Sequence, residues 1–248
     1  MTVDALAGAH AGAAPSDSDV SGDDTYETAR TFESLGVSPE LTNALADEGI
    51  VSAFPIQALT IADALAGAQG EGLIRAVGVS NYSVRETRAI DAALRKRGLR
   101  LASNQIEFSL LRTMPEKVGL LECCRELDVV PLAYSPIGQG RLTGKYTAAN
   151  PPPKTRTFSN YPMASVDRIV EILRRIGEAH GGRTPSQVAL AWIIAKGAVP
   201  IPGAKSRRQA EENAGALGWR MDDAEVAALD AAAFYGKRGV SQRMWQHG

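Results

Sequence analysis

The sequence has 248 residues, of which 44% are hydrophobic and 22% charged, and its formal net charge is −1 at pH 7. This composition is typical of a soluble globular protein large enough for one sizeable core or two small ones. The near-neutral charge gives no electrostatic reason to expect nucleic acid or a membrane as a main partner. Aromatic residues, at 6%, are too sparse for a stacking surface.

The N-terminal residues 1–30 are rich in Ala, Gly, Ser and Asp and lack the basic and apolar blocks of a secretory signal, so we predict a disordered tail there. No apolar run in the sequence reaches the roughly 18–20 residues of a membrane span. The cysteines, Cys123 and Cys124, are adjacent. We therefore expect reduced thiols in a cytoplasmic protein, with no disulfide and no metal site.

Residues 31–69 predict two short helices. Ser38 is placed to cap the first, with Pro39 at its first position and Gly49 at its end. The second helix is expected from about residue 55 to residue 65. Two helices of this length are too small to bury a core of their own.

After residue 70 the pattern becomes strand, helix, strand, helix. Apolar strands are predicted at 73–80, 101–107 and 129–135, with a final short strand in "AVPIPGA". Helices are predicted near 83–96, 115–127, 165–180, 206–216 and 222–233, and a further one opens at Thr184–Pro185. Such alternation indicates parallel βα units with helices outside a buried sheet. Because a (β/α)8 TIM barrel needs eight strands, the α/β region 70–235 predicts a partial barrel of about four βα units.

Polar side chains and one tyrosine follow the predicted strands, at the edge where a parallel barrel carries its functional groups. Ser80 and Asn81 follow the first strand, Gln105 lies near the end of the second, and Tyr134 ends the third. Amide and hydroxyl groups suit a planar carboxamide, and a tyrosine can stack on an aromatic ring. Taken one at a time, Ser80 and Asn81 also fit a helix cap, and Tyr134 fits a core aromatic.

Two further segments suit phosphate groups. The loop "PIGQG" at 136–140 has glycines that let backbone amides approach a phosphate, although the same glycines also fit a simple turn. Residues 205–208, "KSRR", open a helix where the dipole favours an anion, although such a run is usually a solvated face. Together these features predict a site for a nicotinamide dinucleotide with an extra phosphate on its adenosine end.

The region from 71 to about 233 resembles the C-terminal half of an aldo/keto reductase. The resemblance rests on five strings in the same order, "IRAVGVSNYS", "NQIEFSLL", "LAYSPIGQGRLTGKY", "TPSQVALAWII" and "VPIPGAKSRRQAEENAGALGW". The ending "IPGAK…GALGWRMDDAEVAAL" is most similar to the branch that includes pyridoxal-reductase-like enzymes. The family's reaction, which the resemblance implies here, is NADPH-dependent reduction of an aldehyde or ketone.

The resemblance also implies which residues hold NADP. The residues expected at the nicotinamide carboxamide are Ser80, Asn81 and Gln105, with Tyr134 stacked on the ring. Those expected in the loop over the pyrophosphate are Ser135, Pro136, Ile137, Gly138, Gly140 and Leu142. Those expected at the adenosine and its 2′-phosphate are Gly203, Lys205, Gln209, Glu212 and Asn213.

The catalytic residues of the family, a tyrosine acid with a lysine, an aspartate and a histidine, come from the first half of its barrel. The three histidines of this sequence, His10, His180 and His247, follow no candidate strand, and no tyrosine lies in a comparable context. A phenol with a pKa near 10 needs an adjacent cation to donate its proton near neutrality. We therefore assign no catalytic residue and expect no turnover from this chain alone.

Residues 31–67 resemble something else, the Q motif of DEAD-box RNA helicases. In that resemblance Gln57 reads the adenine of ATP and Phe32 stacks on it. The glycine-rich phosphate loop of helicases is missing, which excludes ATP-driven unwinding. Alternatives to the reductase interpretation are therefore a non-catalytic nucleotide-binding or interaction protein, or a fusion fragment of a helicase and a reductase.

A half-barrel leaves two sheet edges and an inner face without a partner. Either the N-terminal helices cover the opening, or two chains associate as a homodimer that closes it. Helices cannot complete a sheet ladder, so the sequence favours the homodimer as the macromolecular partner. A small carbonyl compound is the substrate expected if the protein is active.

Overall fold

A computed structural model of the protein describes residues 43, 67–68, 70–153 and 161–236. The chain divides into two units, Met1–Phe54 and Pro55–Gly248, and the strands and helices given below all belong to the second. The predicted tail at 1–30 and nearly all of the predicted helical segment at 31–69 fall outside the described residues. Residues 237–248 do so as well, and they belong to the C-terminal tail that we predict at 236–248.

Four parallel strands form the sheet. They are β1 (Val77–Ser80), β2 (Leu101–Glu107), β3 (Val130–Tyr134) and β4 (Val199–Pro200). Their order in the sheet is the order of the chain, β1-β2-β3-β4. This sequential parallel order confirms the predicted βα units.

Seven α-helices and one 3-10 helix are described in the same region. The α-helices are α1 (Val84–Arg95), α2 (Met114–Lys117), α3 (Leu120–Leu127), α4 (Met163–Ala179), α5 (Pro185–Ala195), α6 (Arg207–Ala214) and α7 (Asp223–Ala232). The 3-10 helix spans Gly138–Thr143, directly after β3. In the part of the chain that the structure describes, no helix is long and apolar enough to cross a membrane.

Three predicted boundaries differ from the structure. The first strand begins at Val77, because the residues before it lie in exposed chain, with Leu73 72% exposed. The helix predicted at 115–127 is two helices, broken at Gly119, whose φ of 80° is left-handed. The last strand is reduced to two residues, since Pro200 and Pro202 have no amide hydrogen for a ladder.

The strand register divides the sheet into two faces, because successive side chains along a strand point to opposite sides. Paired residues on the helix-covered face include Val79 with Asn104 and Ile106 with Ala133. The opposite face, called the open face below, carries Gly78, Ser80, Ser103, Gln105, Glu107, Val130, Leu132, Tyr134, Val199 and Ile201.

The core lies between the sheet and its helices. Helix α5 is buried along almost its whole length, and its Trp192 is fully buried and stacked on Phe108 at 5.1 Å between ring centroids. The Trp192 Nε1–H donates to Asp230 of α7 at 2.8 Å. Lys196 donates to the same carboxylate at 2.6 Å and to Glu116 at 2.8 Å, which ties α5 to α7 and α2.

Candidate functional site

The site begins at the carboxyl ends of β1 and β2. The Ser80 hydroxyl donates to the Gln105 carbonyl at 3.1 Å, and the Asn81 amide donates to the same oxygen at 2.8 Å. Asn81 has a φ of 60°, a left-handed conformation that Asn adopts more readily than most residues. These bonds turn the chain sharply, so that the Ser80 and Asn81 side chains stay at the edge of the sheet.

Tyr134 links the third strand to the first. Its hydroxyl donates to the Asn81 side-chain oxygen at 3.1 Å, across the intervening strand β2. Gln105 lies between them in the sheet, and its half-buried side-chain amide has no hydrogen-bond partner among the described residues. The structure thus brings together the four residues predicted at the nicotinamide.

Asn104 fixes this edge from below, on the helix-covered face. Its side chain is fully buried, and its Nδ2 donates to the Tyr82 carbonyl at 2.9 Å and to the Thr87 hydroxyl at 3.1 Å. The Tyr82 amide donates back to Asn104 Oδ1 at 3.4 Å. Because Tyr82 follows Asn81 directly, the Asn104 amide holds the loop that carries Ser80 and Asn81.

The loop after β3 is tightly wound. Ser135, Gln139 and the two glycines at 138 and 140 all have positive φ, between 51° and 95°. The amides of Gly138 and Gly140 donate within the loop, to Ser135 and Ile137, each at 2.9 Å. The Leu142 amide also donates to Ile137, at 3.3 Å. The loop is therefore pre-formed by its own backbone hydrogen bonds.

Packing beneath this loop explains why a glycine occupies position 138 and how Arg141 is buried. A Cβ at Gly138 would lie 2.6 Å from a Leu111 methyl group, so only glycine fits there. Arg141 is 1% exposed, and its guanidinium donates to the Gly138 carbonyl at 3.3 Å. The Leu142 side chain is fully buried in the core and its backbone amide donates to Ile137, so both support the fold of the loop.

A basic helix start follows β4. Ser206 caps α6 by accepting from the Gln209 amide at 3.3 Å, and the Lys205 amide donates to the Gln209 side chain at 2.6 Å. The Lys205 and Arg208 side chains are exposed and have no ion-pair partner among the described residues, whereas Arg207 pairs with Glu211. Two free cations therefore lie where the helix dipole also favours an anion.

The other residues predicted at the adenosine lie on or just before the same helix. Glu212 is held in place, because its carboxylate accepts from the Thr184 hydroxyl at 3.3 Å and its carbonyl accepts from the Gln187 amide at 3.0 Å. Asn213 is half-buried and follows directly. Gly203 is exposed, and nothing lies within 4 Å of the space where its Cβ would be.

A buried ion pair lies deeper at the same end of the sheet. Glu107 and Arg112 are 1% and 2% exposed and lie 3.5 Å apart. Together with Asn81 and Tyr82 they line a cavity of about 20 Å³, which has room for about one water molecule. Burial, followed by repulsion from Glu86, raises the pKa of Tyr82, so its phenol stays protonated at neutral pH.

Groups for acid–base chemistry are sparse in the described part of the site. His180 lies at the end of α4, where its Nε2 is 2.9 Å from the Glu225 carboxylate and its ring is 4.6 Å from the Trp219 ring. It belongs to the contact between α4 and α7 and not to the carboxyl edge of the sheet. The residues that the structure describes contain no group of three possible metal ligands.

Sequence reasoning missed Asn104, Arg141 and the pair Glu107–Arg112 as supports of the site. Asn104 stands directly before Gln105, and the alternation of the strand predicts that it points away from the open face. That alternation was the available signal. Nothing in the local sequence marks Arg141, Glu107 or Arg112 as buried, since charged residues are usually exposed.

The parallel sheet has helices on one face and carries amide, hydroxyl and aromatic groups at its carboxyl edge. It defines a βα-barrel-type α/β protein, a class in which ligand sites lie at that edge. The sequence profile of the aldo/keto reductase family matches residues 24–233. This chain belongs to the aldo/keto reductase family. The match begins at residue 24 and not at 71, so it also runs through the segment that resembles the Q motif, and the comparisons give that resemblance no support.

Curated relatives agree with the family. The chloroplastic pyridoxal reductase of Arabidopsis thaliana is 39% identical over 194 residues, which are 77% of this chain and 53% of that protein. The NADP(+) aldo-keto reductase yakc of Schizosaccharomyces pombe is 32% identical over 171 residues, or 65% of this chain and 48% of that protein. The chain therefore spans about half the length of the curated relatives that it matches.

Solved structures agree as well. A thermostable aldo-keto reductase in complex with the inhibitor epalrestat matches with a TM-score of 0.55 and 26% identity, over 71% of this chain and 55% of that one. The glycerol dehydrogenase of Gluconobacter oxydans matches with a TM-score of 0.63 over 74% of this chain and 57% of that one. At 24% identity, the second match supports the fold alone.

Proposed function

We propose that this chain is the NADPH-holding part of an aldo/keto reductase, and that its described sheet is half of a (β/α)8 barrel. The observation that carries the proposal is the unpartnered Gln105 amide at the carboxyl edge, with Ser80 and Asn81 on one side and the Tyr134 ring on the other. Ser80, Asn81 and Gln105 offer both donors and acceptors, which a nicotinamide carboxamide requires.

We assign the Tyr134 ring to stacking on the nicotinamide. Its hydroxyl is bound to Asn81, so the ring is held in one orientation above the end of β3. NADPH, when bound, supplies a hydride to a carbonyl carbon. The contribution of this chain is to orient the ring and to cover one of its faces.

The rest of the dinucleotide follows from the same edge. The wound loop at 135–142 lies directly after Tyr134 and is assigned to the pyrophosphate, with Ser135 as its first polar side chain. The start of α6 is assigned to the adenosine and its 2′-phosphate, because Lys205 and Arg208 are exposed and free to pair with it. Gly203 leaves open space before that helix, and Gln209, Glu212 and Asn213 face the adenosine.

We propose that the substrate class is an aldehyde such as pyridoxal, and that the chain alone does not turn it over. The pyridoxal reductase similarity supports the substrate class. The described carboxyl edge supports the lack of turnover, because no described histidine reaches it and the Tyr134 hydroxyl is already bound to Asn81. A general acid must lie within hydrogen-bond reach of the carbonyl oxygen that it protonates.

The test is a titration of the full chain with NADPH, NADH and ATP, followed by intrinsic fluorescence, with a parallel assay of NADPH oxidation in the presence of pyridoxal. We expect NADPH to bind more tightly than NADH, and we expect no oxidation. Lys205→Glu should weaken NADPH at least tenfold and leave NADH nearly unchanged, since only NADPH carries the 2′-phosphate.

Lys117→Glu is the matched control for Lys205→Glu. Lys117 is an exposed lysine in α2, so this variant makes the same charge change away from α6. It should leave both affinities unchanged. The proposal fails if none of the three nucleotides binds, or if Lys205→Glu weakens NADPH and NADH equally. Steady NADPH oxidation with pyridoxal would contradict the lack of turnover and would leave the binding site standing.

A further inference from the structure

The open face of the sheet is apolar over half of its width. Val130, Val199 and Ile201 are 43%, 48% and 40% exposed, and Leu132 is paired with Val199 between them. All four lie on β3 or at β4. The half of the face formed by β1 and β2 is polar instead, with Gly78, Ser80, Ser103 and Gln105, and it ends at the buried Glu107.

Such a face suits the inside of a barrel. The interior of an eight-stranded parallel barrel is filled by layers of side chains from its strands, and Val, Ile and Leu dominate these layers. The four apolar residues at β3 and β4 are all of these types and point to the same side. Leaving a surface of this kind exposed to water is unfavourable, and covering it stabilises the assembly.

The two ends of the described sheet are also complementary. β1 and β4 each have one strand neighbour in the described order, and all four strands run in the same direction. A two-fold axis parallel to the strands preserves this direction. The axis therefore places β4 of each copy beside β1 of the other. These two equivalent contacts close a ring of eight parallel strands. Pro200 offers no amide hydrogen at its edge, so side-chain packing contributes more to this closure than the ladder does.

We propose that the open face is the interface with a second copy of this chain, and that the two copies close one eight-stranded barrel. The described sheet favours this occupant, because a second copy brings four more parallel strands whose edges match β1 and β4 in direction. The closure is isologous and ends at two copies. This dimer is an inference beyond the cofactor site. It brings the carboxyl edges of both copies to the same end of the barrel.

The test is sedimentation velocity of the full chain over a concentration series from micromolar upward. The wild-type protein should sediment at twice the chain mass of 26.3 kDa. Val130→Lys should shift the protein to the single-chain mass, because each copy then places a charge in a dry interior. Val118→Lys is the matched control, since Val118 is 41% exposed but lies after α2, away from the open face. It should stay dimeric.

Circular dichroism of each variant separates lost association from lost folding. If Val130→Lys does not fold, Val199→Lys on the neighbouring strand replaces it in the test. The sedimentation mass of the wild-type protein also decides, without any variant, whether the chain is a dimer. A wild-type protein that stays at 26.3 kDa throughout the series overturns the proposal. So does a growing series of larger species, and so does a folded Val130→Lys or Val199→Lys that dimerises as tightly as the wild type.

Discussion

Replacing Asn104 by alanine tests the link between the buried sheet face and the cofactor edge. The side chain is fully buried and makes three hydrogen bonds, two to the Tyr82 backbone and one to the Thr87 hydroxyl. Asn104→Ala removes all three at once. It leaves the Tyr82 backbone amide and carbonyl and the buried Thr87 hydroxyl without this partner.

The magnitude follows from those three bonds. Each contributes about 1 kcal/mol net, so the variant should lose about 3 kcal/mol of the free energy of unfolding. This is a large fraction of the roughly 5–15 kcal/mol typical of a domain. The released loop carries Ser80 and Asn81. Losing two hydrogen bonds to the carboxamide costs about 2 kcal/mol of binding, which is about 30-fold in the NADPH Kd.

Urea unfolding and fluorescence titration with NADPH measure the two effects separately. Leu173→Ala is the control, because Leu173 is fully buried in α4 and its loss should cost about 2–5 kcal/mol without touching the site. The NADPH Kd of Leu173→Ala should match the wild type. The reasoning is refuted if Asn104→Ala keeps both stability and affinity, or if the Kd of Leu173→Ala rises as much as that of Asn104→Ala.

Three further predictions concern the described core. Burial raises the pKa of Cys124 to about 12 and also raises that of Cys123, so neither thiol should react with Ellman's reagent at pH 8 until denaturant is added; fast reaction of the native protein would contradict this. Burial lowers the pKa of Lys196, but the hydrogen bonds that it donates to two carboxylates outweigh burial and raise the pKa above 10.5, so Lys196→Met should cost about 2 kcal/mol at pH 7 in urea unfolding. Because a raised pKa stabilises the fold only while the group is protonated, this difference should shrink as the pH rises above 10.5, and a constant difference would contradict the ion pairs. Gly177→Ala should lower the thermal midpoint by several degrees, because a Cβ there would lie 2.0 Å from the Arg183 carbonyl oxygen, and an unchanged midpoint would exclude that contact.

The strands and helices were predictable where one local signal decided them. Strand Leu101–Glu107 has the bounds predicted for it. Helix α1 begins after Ser83, whose capping box with Glu86 is a signal contained within four residues. The break at Gly119 was missed, since a single glycine within an apolar helical pattern is tolerated as often as it ends a helix.

The site was predictable in part. The family resemblance identified the residues, and the parallel sheet explained why they lie close together. Ser80, Gln105 and Tyr134 lie on adjacent parallel strands, so knowing the strands was enough to place them together. The support from Asn104 depends on a contact with Thr87, 17 residues away, which no local pattern contains. The buried Arg141 guanidinium likewise depends on how the loop folds back over it.

The carboxyl edge proposed to hold NADPH and the apolar half of the sheet share one face, and this connects the proposed binding with the proposed dimer. Gln105 and Tyr134 lie on the open face, and Val130 and Leu132 lie on the same side of the same sheet, one pleat or two further from the carboxyl edge. A partner that covers the valines therefore also forms the floor beneath the nicotinamide. Excluding water from that floor strengthens the hydrogen bonds to the carboxamide, because an amide left unpaired there has no solvent to replace them. Dimer closure and NADPH affinity should consequently rise and fall together.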